Sequence, residues 1–171
     1  MEEAVSFMEA ALPYNIRLKL EINESRGYIN ADPTQLFRVF LNIMTNSMQA
    51  MEKAGGKITV RVDSLQADSG SMAIIRISDT GSGIDKSVIE RIYEPFFTTK
   101  EQGKGTGMGL SVAHGIITGL GGEIAVDSSP GEGTLFTINI PCLESLPDEQ
   151  SFAIQDKKWV KILYLDNNIL F

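Results

Sequence analysis

Residues 74–110 read IIRISDTGSGIDKSVIERIYEPFFTTKEQGKGTGMGL. The stretch opens with Ile74–Ile77, apolar on both faces, which predicts a central strand of a sheet. Asp79-Thr80-Gly81-Ser82-Gly83 follows. Asp and Gly are turn residues for local reasons, so a plain turn accounts for it. Equally, it sets a carboxylate at the end of a buried strand, with glycines that let a flat ligand approach the backbone. A carboxylate there accepts a hydrogen bond from an exocyclic amine and repels a carbonyl, which separates adenine from guanine. A short helix is predicted from Asp85 to Tyr93. The adjacent aromatics in Glu94-Pro95-Phe96-Phe97 are costly to expose; they read either as anchors of the chain before a mobile stretch or as simple core residues. Thr98–Thr106, polar and glycine-rich with Lys100 and Lys104, has the composition of a lid. Gly105-Thr106-Gly107-Met108-Gly109-Leu110 opens a helix expected to reach Thr118, closed by Gly119, Gly121 and Gly122. Free N–H groups at such a start attract phosphate. A P-loop needs Gly-Lys-Ser/Thr in sequence, but Gly105 separates Lys104 from Thr106. A dinucleotide fingerprint needs glycines directly after a strand, but a basic segment precedes them.

Outward from this stretch, Met1–Leu12 predicts a short helix cut at Pro13. Ile16, Leu18, Leu20 and Ile22 alternate with charged residues as a half-buried strand. Ser25-Arg26-Gly27 predicts a turn and Tyr28–Asn30 a short return strand. Asp32-Pro33 starts a helix expected to run to about Lys53. Its Arg38, Asn42, Asn46 and Gln49 share one polar stripe. The stripe suits a solvated face. It also suits a pair of amide oxygens facing a hard cation carried by phosphates. Lys57–Val62 and Met72–Ser78 read as strands, with Asp63–Ser71 as a polar hairpin loop between them. Beyond residue 110, Gly122–Ile140 reads as a hairpin completing the sheet, with strands Glu123–Asp127 and Thr134–Ile140. Pro141–Lys158 reads as linker. Lys161–Leu165 reads as a short strand without a visible partner. His114, the sole histidine, is expected to be structural or superficial.

The totals bound the function class. The 171 residues are 43% hydrophobic and 22% charged, as in a globular protein of one ordinary domain. A formal charge of -7 disfavours non-specific nucleic-acid binding, which needs clustered positive charge. One cysteine, Cys142, cannot form an internal disulfide. No apolar run is long enough to span a bilayer, and the acidic start lacks the basic region of a secretory signal. Direct membrane contact is not expected of this segment.

Four boxes in order resemble those of sensor histidine kinases. Asn42 and Asn46 on a helix resemble the N box. Asp79–Ile84 resembles the G1 box, Tyr93–Lys100 the F box and Gly105–Leu110 the G2 box. GTLFTINIP resembles the closing strand. The resemblance covers about Ile16 to Pro141. It implies an α/β fold: a two-layer sandwich of the Bergerat (GHKL) type, with a mixed sheet packed on one layer of helices. It implies ATP and Mg²⁺ as cofactors, with Asn46 holding the metal and Asn42 beside the phosphates. Asp79 would take the adenine amine, with Thr137 near it and Gly81, Gly83 and Ile84 around the base. Phe97, Thr98, Thr99, Lys100 and Lys104 would belong to the nucleotide site, the lysines reaching the phosphates. Gly105, Thr106, Gly107, Met108, Gly109 and Leu110 would present backbone N–H groups. Asn42 and Lys100 would act in catalysis.

Gyrase-like and MutL-like relatives carry a water-activating Glu one turn before the metal-binding Asn. Here that position is Asn42, an amide that takes no proton, so slow hydrolysis and transfer to another group are expected. In the resembled family the acceptor is a histidine on a preceding dimerisation domain. The implied organisation is a remnant of that domain's helix over 1–12, the catalytic domain over 13–143, a linker over 144–160, and over 161–171 a tail or the start of a receiver domain. Implied partners are the dimerisation domain of a homodimeric parent and a response regulator. The expected location is cytoplasmic, with a parent that can be membrane-anchored. Three rivals remain at this point: an aspartic protease through Asp-Thr-Gly, which needs a second carboxylate that no second such triplet supplies; a GHKL-type regulatory module; and an anti-sigma-type serine kinase.

Overall fold

The computed structural model describes residues 12–22, 27–67, 70–100, 105–142 and 159–162. The expected helix over residues 1–12 therefore lies outside the described residues except for Leu12, as do Ser25-Arg26, Lys104 and most of the expected linker and tail. In chain order the elements are β1 (Ile16–Ile22), β2 (Gly27–Asn30), α1 (Pro33–Ala50), β3 (Gly56–Ala67), β4 (Gly70–Asp79), α2 (Lys86–Ile89), α3 (Gly109–Gly119), β5 (Glu123–Ser129), β6 (Gly133–Cys142) and β7 (Trp159–Ile162).

Five strands form one mixed sheet in the order β1-β3-β4-β6-β5. β1 lies parallel to β3, and every other neighbour pair is antiparallel. β4 is the middle strand, as the apolar run Ile74–Ile77 predicts. Alternation sends Ala73, Ile75 and Ile77 of β4, Ile58, Val60 and Val62 of β3, and Phe136, Ile138 and Ile140 of β6 to one buried face. Onto it pack Leu36, Val39, Phe40, Ile43 and Met44 of α1, with Ala113 and Ile117 of α3. The result is one sheet covered by one layer of helices, the expected two-layer sandwich.

Five boundaries differ from expectation. The polar stretch Asp63–Ser71 is mostly strand: β3 and β4 pair out to Ala67 and Gly70. Ladder bonds come from the backbone, so polar side chains on the open face do not end a strand. Asp63 there binds Arg76 at 2.8 Å and Arg61 at 3.2 Å. α1 stops at Ala50, and a turn leads to Gly55 at φ 69. α3 starts at Gly109, four residues after Gly105, and the helix after Asp85 spans only Lys86–Ile89 before a series of turns. The late strand begins at Trp159, two residues before Lys161, and it has a partner: β7 pairs antiparallel with β2.

Candidate functional site

Helix α1 supplies the wall on which the site is built. Asp32 caps it, its carboxylate accepting from Thr34 N–H at 2.8 Å, and Pro33 sits where its missing N–H is harmless. That start fixes the phase of the helix. Asn42, Asn46 and Gln49 then follow one another along the rim, while Ser47 turns inward and is 2% exposed.

Ser47 is the first link. Its hydroxyl donates to Asp79 Oδ2 at 2.8 Å, and Gly81 N–H donates to Asp79 Oδ1 at 2.9 Å. Asp79 ends β4 and is 7% exposed. Each oxygen thus has one internal donor, which stabilises a charge so deeply placed. Each also keeps acceptor capacity for a ligand amine.

The loop after Asp79 is tied down on two sides. Ser82 N–H donates to Ala50 O at 3.2 Å, Gly131 N–H to Ser82 O at 2.8 Å, and Ile84 N–H to Ser128 Oγ at 2.9 Å. Gly83, at φ 69, lies so close to Ser129 that an added Cβ would stand 2.0 Å from its carbonyl oxygen. A Cβ at Gly81 would meet Ala50 at 2.7 Å. Both glycines are needed for packing within the protein on the side where a Cβ would project.

The second link joins α1 to the segment after Pro95. Lys100 Nζ donates to Asn46 Oδ1 at 2.8 Å and also to Gln49 Oε1. Among the described residues Lys100 makes no ion pair. Partial burial lowers its pKa. An unneutralised ammonium therefore stands on the rim of α1, where phosphate would find it attractive. Thr98 Oγ1 accepts from Lys100 N–H at 3.2 Å, and Thr98 and Thr99 are exposed.

The third link is the start of α3. A Cβ at Gly109 would lie 3.3 Å from Asn42 Oδ1, so the helix start abuts the first Asn of the stripe. No side chain caps α3. Thr106 and Met108 are exposed there, whereas Leu110 packs against the core. Gly105 lies over the Lys100 stem, its added Cβ 3.1 Å from Lys100 Cδ. Gly107, at φ 66, lies against the Phe96 backbone, and Phe96 N–H donates to Gly107 O at 3.0 Å.

Two expectations are corrected. The adjacent phenylalanines do not both anchor the chain. Phe96 is 73% exposed at φ 67, while Phe97 is half-buried with the Arg91 guanidinium 4.3 Å from its ring centre. The Phe96 backbone is instead bonded to Gly107, and Phe97 N–H donates to Glu94 O at 3.2 Å. Thr137 is not beside Asp79. It pairs with Arg76, three residues away and on the opposite face of the sheet. The residue across from Asp79 is Thr134, buried and within 3.0 Å of Ser128 Oγ. An odd offset along a strand reverses the face.

Ser47, Gln49 and Thr134 were absent from the expected set. Ser47 had a signal: it lies four residues after Ile43, a polar residue on the apolar stripe. Gln49 was on the polar stripe. Thr134 depends on strand register, which the sequence does not supply. His114 is exposed on α3, 4.8 Å from the Tyr93 ring and uninvolved in these contacts.

The three links converge on α1: the start of α3 at Asn42, the Lys100 ammonium at Asn46 and Gln49, and the acid Asp79 at Ser47. This arrangement fits a purine nucleotide carrying phosphates. Asn46 Oδ1 and Gln49 Oε1 already face one cation, the Lys100 ammonium, so oxygen ligands for a hard metal are present. Among the described residues no group of three or more His, Cys, Asp or Glu could hold a metal by itself. Mg²⁺ would thus need phosphate oxygens as well, its usual mode. A shallow hollow of about 210 Å³ has Asp79 and Thr134 on its wall, together with Asp127 and Glu132. Those acids repel phosphate, and none of the three amides reaches it. Among the described residues no helix is long and apolar enough to cross a membrane.

Residues 31–144 match the family described as histidine kinase-, DNA gyrase B- and HSP90-like ATPase. The sensor kinase CckA of Brucella abortus is 40% identical over 157 residues, covering 84% of this chain and 16% of that protein. The sensor histidine kinase ZraS of Salmonella typhimurium is 38% identical over 133 residues, covering 78% of this chain and 27% of that protein. The chain therefore spans between a sixth and about a quarter of these relatives' lengths. Among solved structures, the catalytic domain of the histidine kinase ThkA superimposes with a TM-score of 0.69 at 28% identity, covering 82% of this chain and 90% of that one. Full-length ShkA in complex with AMPPNP superimposes with a TM-score of 0.72 at 22% identity, over 85% of this chain and 30% of that one, a likeness of fold.

Proposed function

Since this chain belongs to the histidine kinase-, DNA gyrase B- and HSP90-like ATPase family, we propose that it is the ATP-binding catalytic domain of a two-component sensor histidine kinase. It would pass the γ-phosphoryl group of ATP to a histidine on a dimerisation domain outside this sequence. The observation that carries the reading is the union of three contacts on one helix: Ser47 with Asp79, Asn46 with Lys100, and Asn42 with Gly109.

In this reading Asp79 accepts from the adenine amine, oriented by Ser47 and the Gly81 N–H. Guanine presents a carbonyl at that place, and a buried carboxylate rejects it. Gly81, Gly83 and Ile84 shape the base end, and Thr134, not Thr137, stands across from Asp79. Asn46 holds Mg²⁺ together with phosphate oxygens. Lys100 and the N–H groups from Gly105 to Leu110 take the phosphate charge, with Phe97, Thr98 and Thr99 forming that rim. Mg-ATP supplies an activated phosphoryl group whose charge the metal screens. Asn42, an amide, orients the phosphates without abstracting a proton from water. Hydrolysis should be slow and transfer favoured. The phosphoryl group would continue to a response regulator, and the parent would act as a cytoplasmic-facing homodimer.

Calorimetry tests the pocket. Mg-ATP should bind at micromolar strength, about -7 to -8 kcal/mol. Asp79→Asn should remove that binding while thermal unfolding shows an intact fold, and Asn46→Ala should remove the difference between Mg²⁺ and EDTA. No saturable heat with the wild type would refute the reading.

A further inference from the structure

We propose that Gln49 is a positioning residue for Lys100. With Asn46 it forms a two-amide post for the Lys100 ammonium. In the nucleotide-free pocket the ammonium occupies the place of the metal on Asn46, and it gives up that oxygen when Mg-ATP loads. The inference rests on the nucleotide-site reading above and adds a role for Gln49 and an exchange of cations.

Three features support it. First, Asn46 and Gln49 are three residues apart on α1, so their side chains lie on one face, and both amide oxygens accept from the same Nζ. Second, the lysine is seated along its length. Gly105 lies against its stem, and Thr98 Oγ1 accepts its backbone N–H at 3.2 Å. Third, the post is neutral. Amide oxygens solvate the ammonium without cancelling its charge, and no carboxylate among the described residues pairs with it.

A second cation cannot share Asn46 Oδ1 with this ammonium. Like charges a hydrogen-bond length from one oxygen repel strongly at the dielectric of a protein rim. A metal held by Asn46 therefore displaces Nζ from that atom. Gln49, one turn further along, keeps the ammonium close to where phosphate arrives. Without Gln49 the released lysine would search solvent, at an entropic cost when it returns.

The test uses the whole chain with Lys100→Met, Gln49→Leu and the double variant. Amide hydrogen exchange is followed first without nucleotide. Residues 97–100 should exchange about two- to fivefold faster in each single variant, the size expected for an exposed charge contact, and the double variant should add nothing further. Calorimetry with Mg-ATP should show Gln49→Leu weakening affinity by a similar factor of about two to five in the Lys100 background, and not at all in the Lys100→Met background. By NMR, the Asn46 side-chain amide signal should shift in Lys100→Met, and in the wild type it should move again when Mg²⁺ is added to the ATP-bound chain. Unchanged exchange in both single variants, a Gln49→Leu effect that survives Lys100→Met, or an Asn46 signal insensitive to Lys100 and to Mg²⁺ would overturn the proposal. The exchange arm needs no nucleotide, so its failure is distinct from failure of the chain to bind ATP.

Discussion

Ser47 and Asp79 show how one side chain secures another. The carboxylate is nearly enclosed, and two donors, Ser47 Oγ and Gly81 N–H, offset its loss of water. Replacing Ser47 with Ala removes one donor and leaves the charge in place. We expect about 1–3 kcal/mol less stability in urea unfolding and weaker ATP binding, because the acid is no longer aimed. Strand parity gives a sharper comparison at the same scale. Thr134 is opposite Asp79, and Thr137 is on the other face. Thr134→Val should lower ATP affinity and Thr137→Val should leave it unchanged, both read by calorimetry. Equal effects would remove Thr134 from the site. Lys100 gives a pH dependence. Burial holds its pKa below the ordinary value of 10.5, while bound phosphate favours the charged form and raises it. Binding therefore takes up a proton as pH climbs past the lowered pKa, so ATP affinity falls with rising pH, beginning below 10.5. The part of that fall due to Lys100 should vanish in Lys100→Met.

Between elements, the decisive contact is the one joining the Phe96 backbone to the segment that opens α3. Phe96 N–H bonds Gly107 O, and Gly107 sits at φ 66 with Phe96 atoms where a Cβ would go, the nearest at 2.4 Å. Gly107→Ala meets both a backbone clash and a disfavoured conformation. It should displace the start of α3 from Asn42 and cost about 1–3 kcal/mol of stability. Phosphate binding should fall more than adenosine binding, and a parallel titration with adenosine and ATP separates the two. A loss shared equally by both ligands would contradict the separate roles of the α3 start and Asp79.

At the scale of the molecule, the sandwich brings together residues from α1, the end of β4, the post-Pro95 segment and the start of α3. Each comes from a different part of the chain. His114 lies tilted against the Tyr93 ring and makes none of the contacts that join Asn42, Asn46 and Ser47 to the site. The chain alone should bind labelled ATP without labelling itself, and an added dimerisation domain from the parent should become labelled. Self-labelling of this chain in the absence of an acceptor would contradict the transfer reading.

The sequence alone determined those features that depend on local pattern. Period-two alternation marked β1, the apolar run Ile74–Ile77 marked the central strand, Asp32-Pro33 marked the start of α1, and the order of glycine and amide boxes marked the family. Local rules suffice there because hydrogen bonding, capping and side-chain periodicity act over a few residues. Only the tertiary structure decided which threonine faces Asp79, that Ser47 supports it, that β3 and β4 continue through the polar stretch, and that Lys100 rests on Asn46 and Gln49. Each of these depends on register or on packing between segments far apart in the chain. A shift of one residue in a strand, or one turn in a helix, would change every such neighbour while leaving the local pattern almost the same.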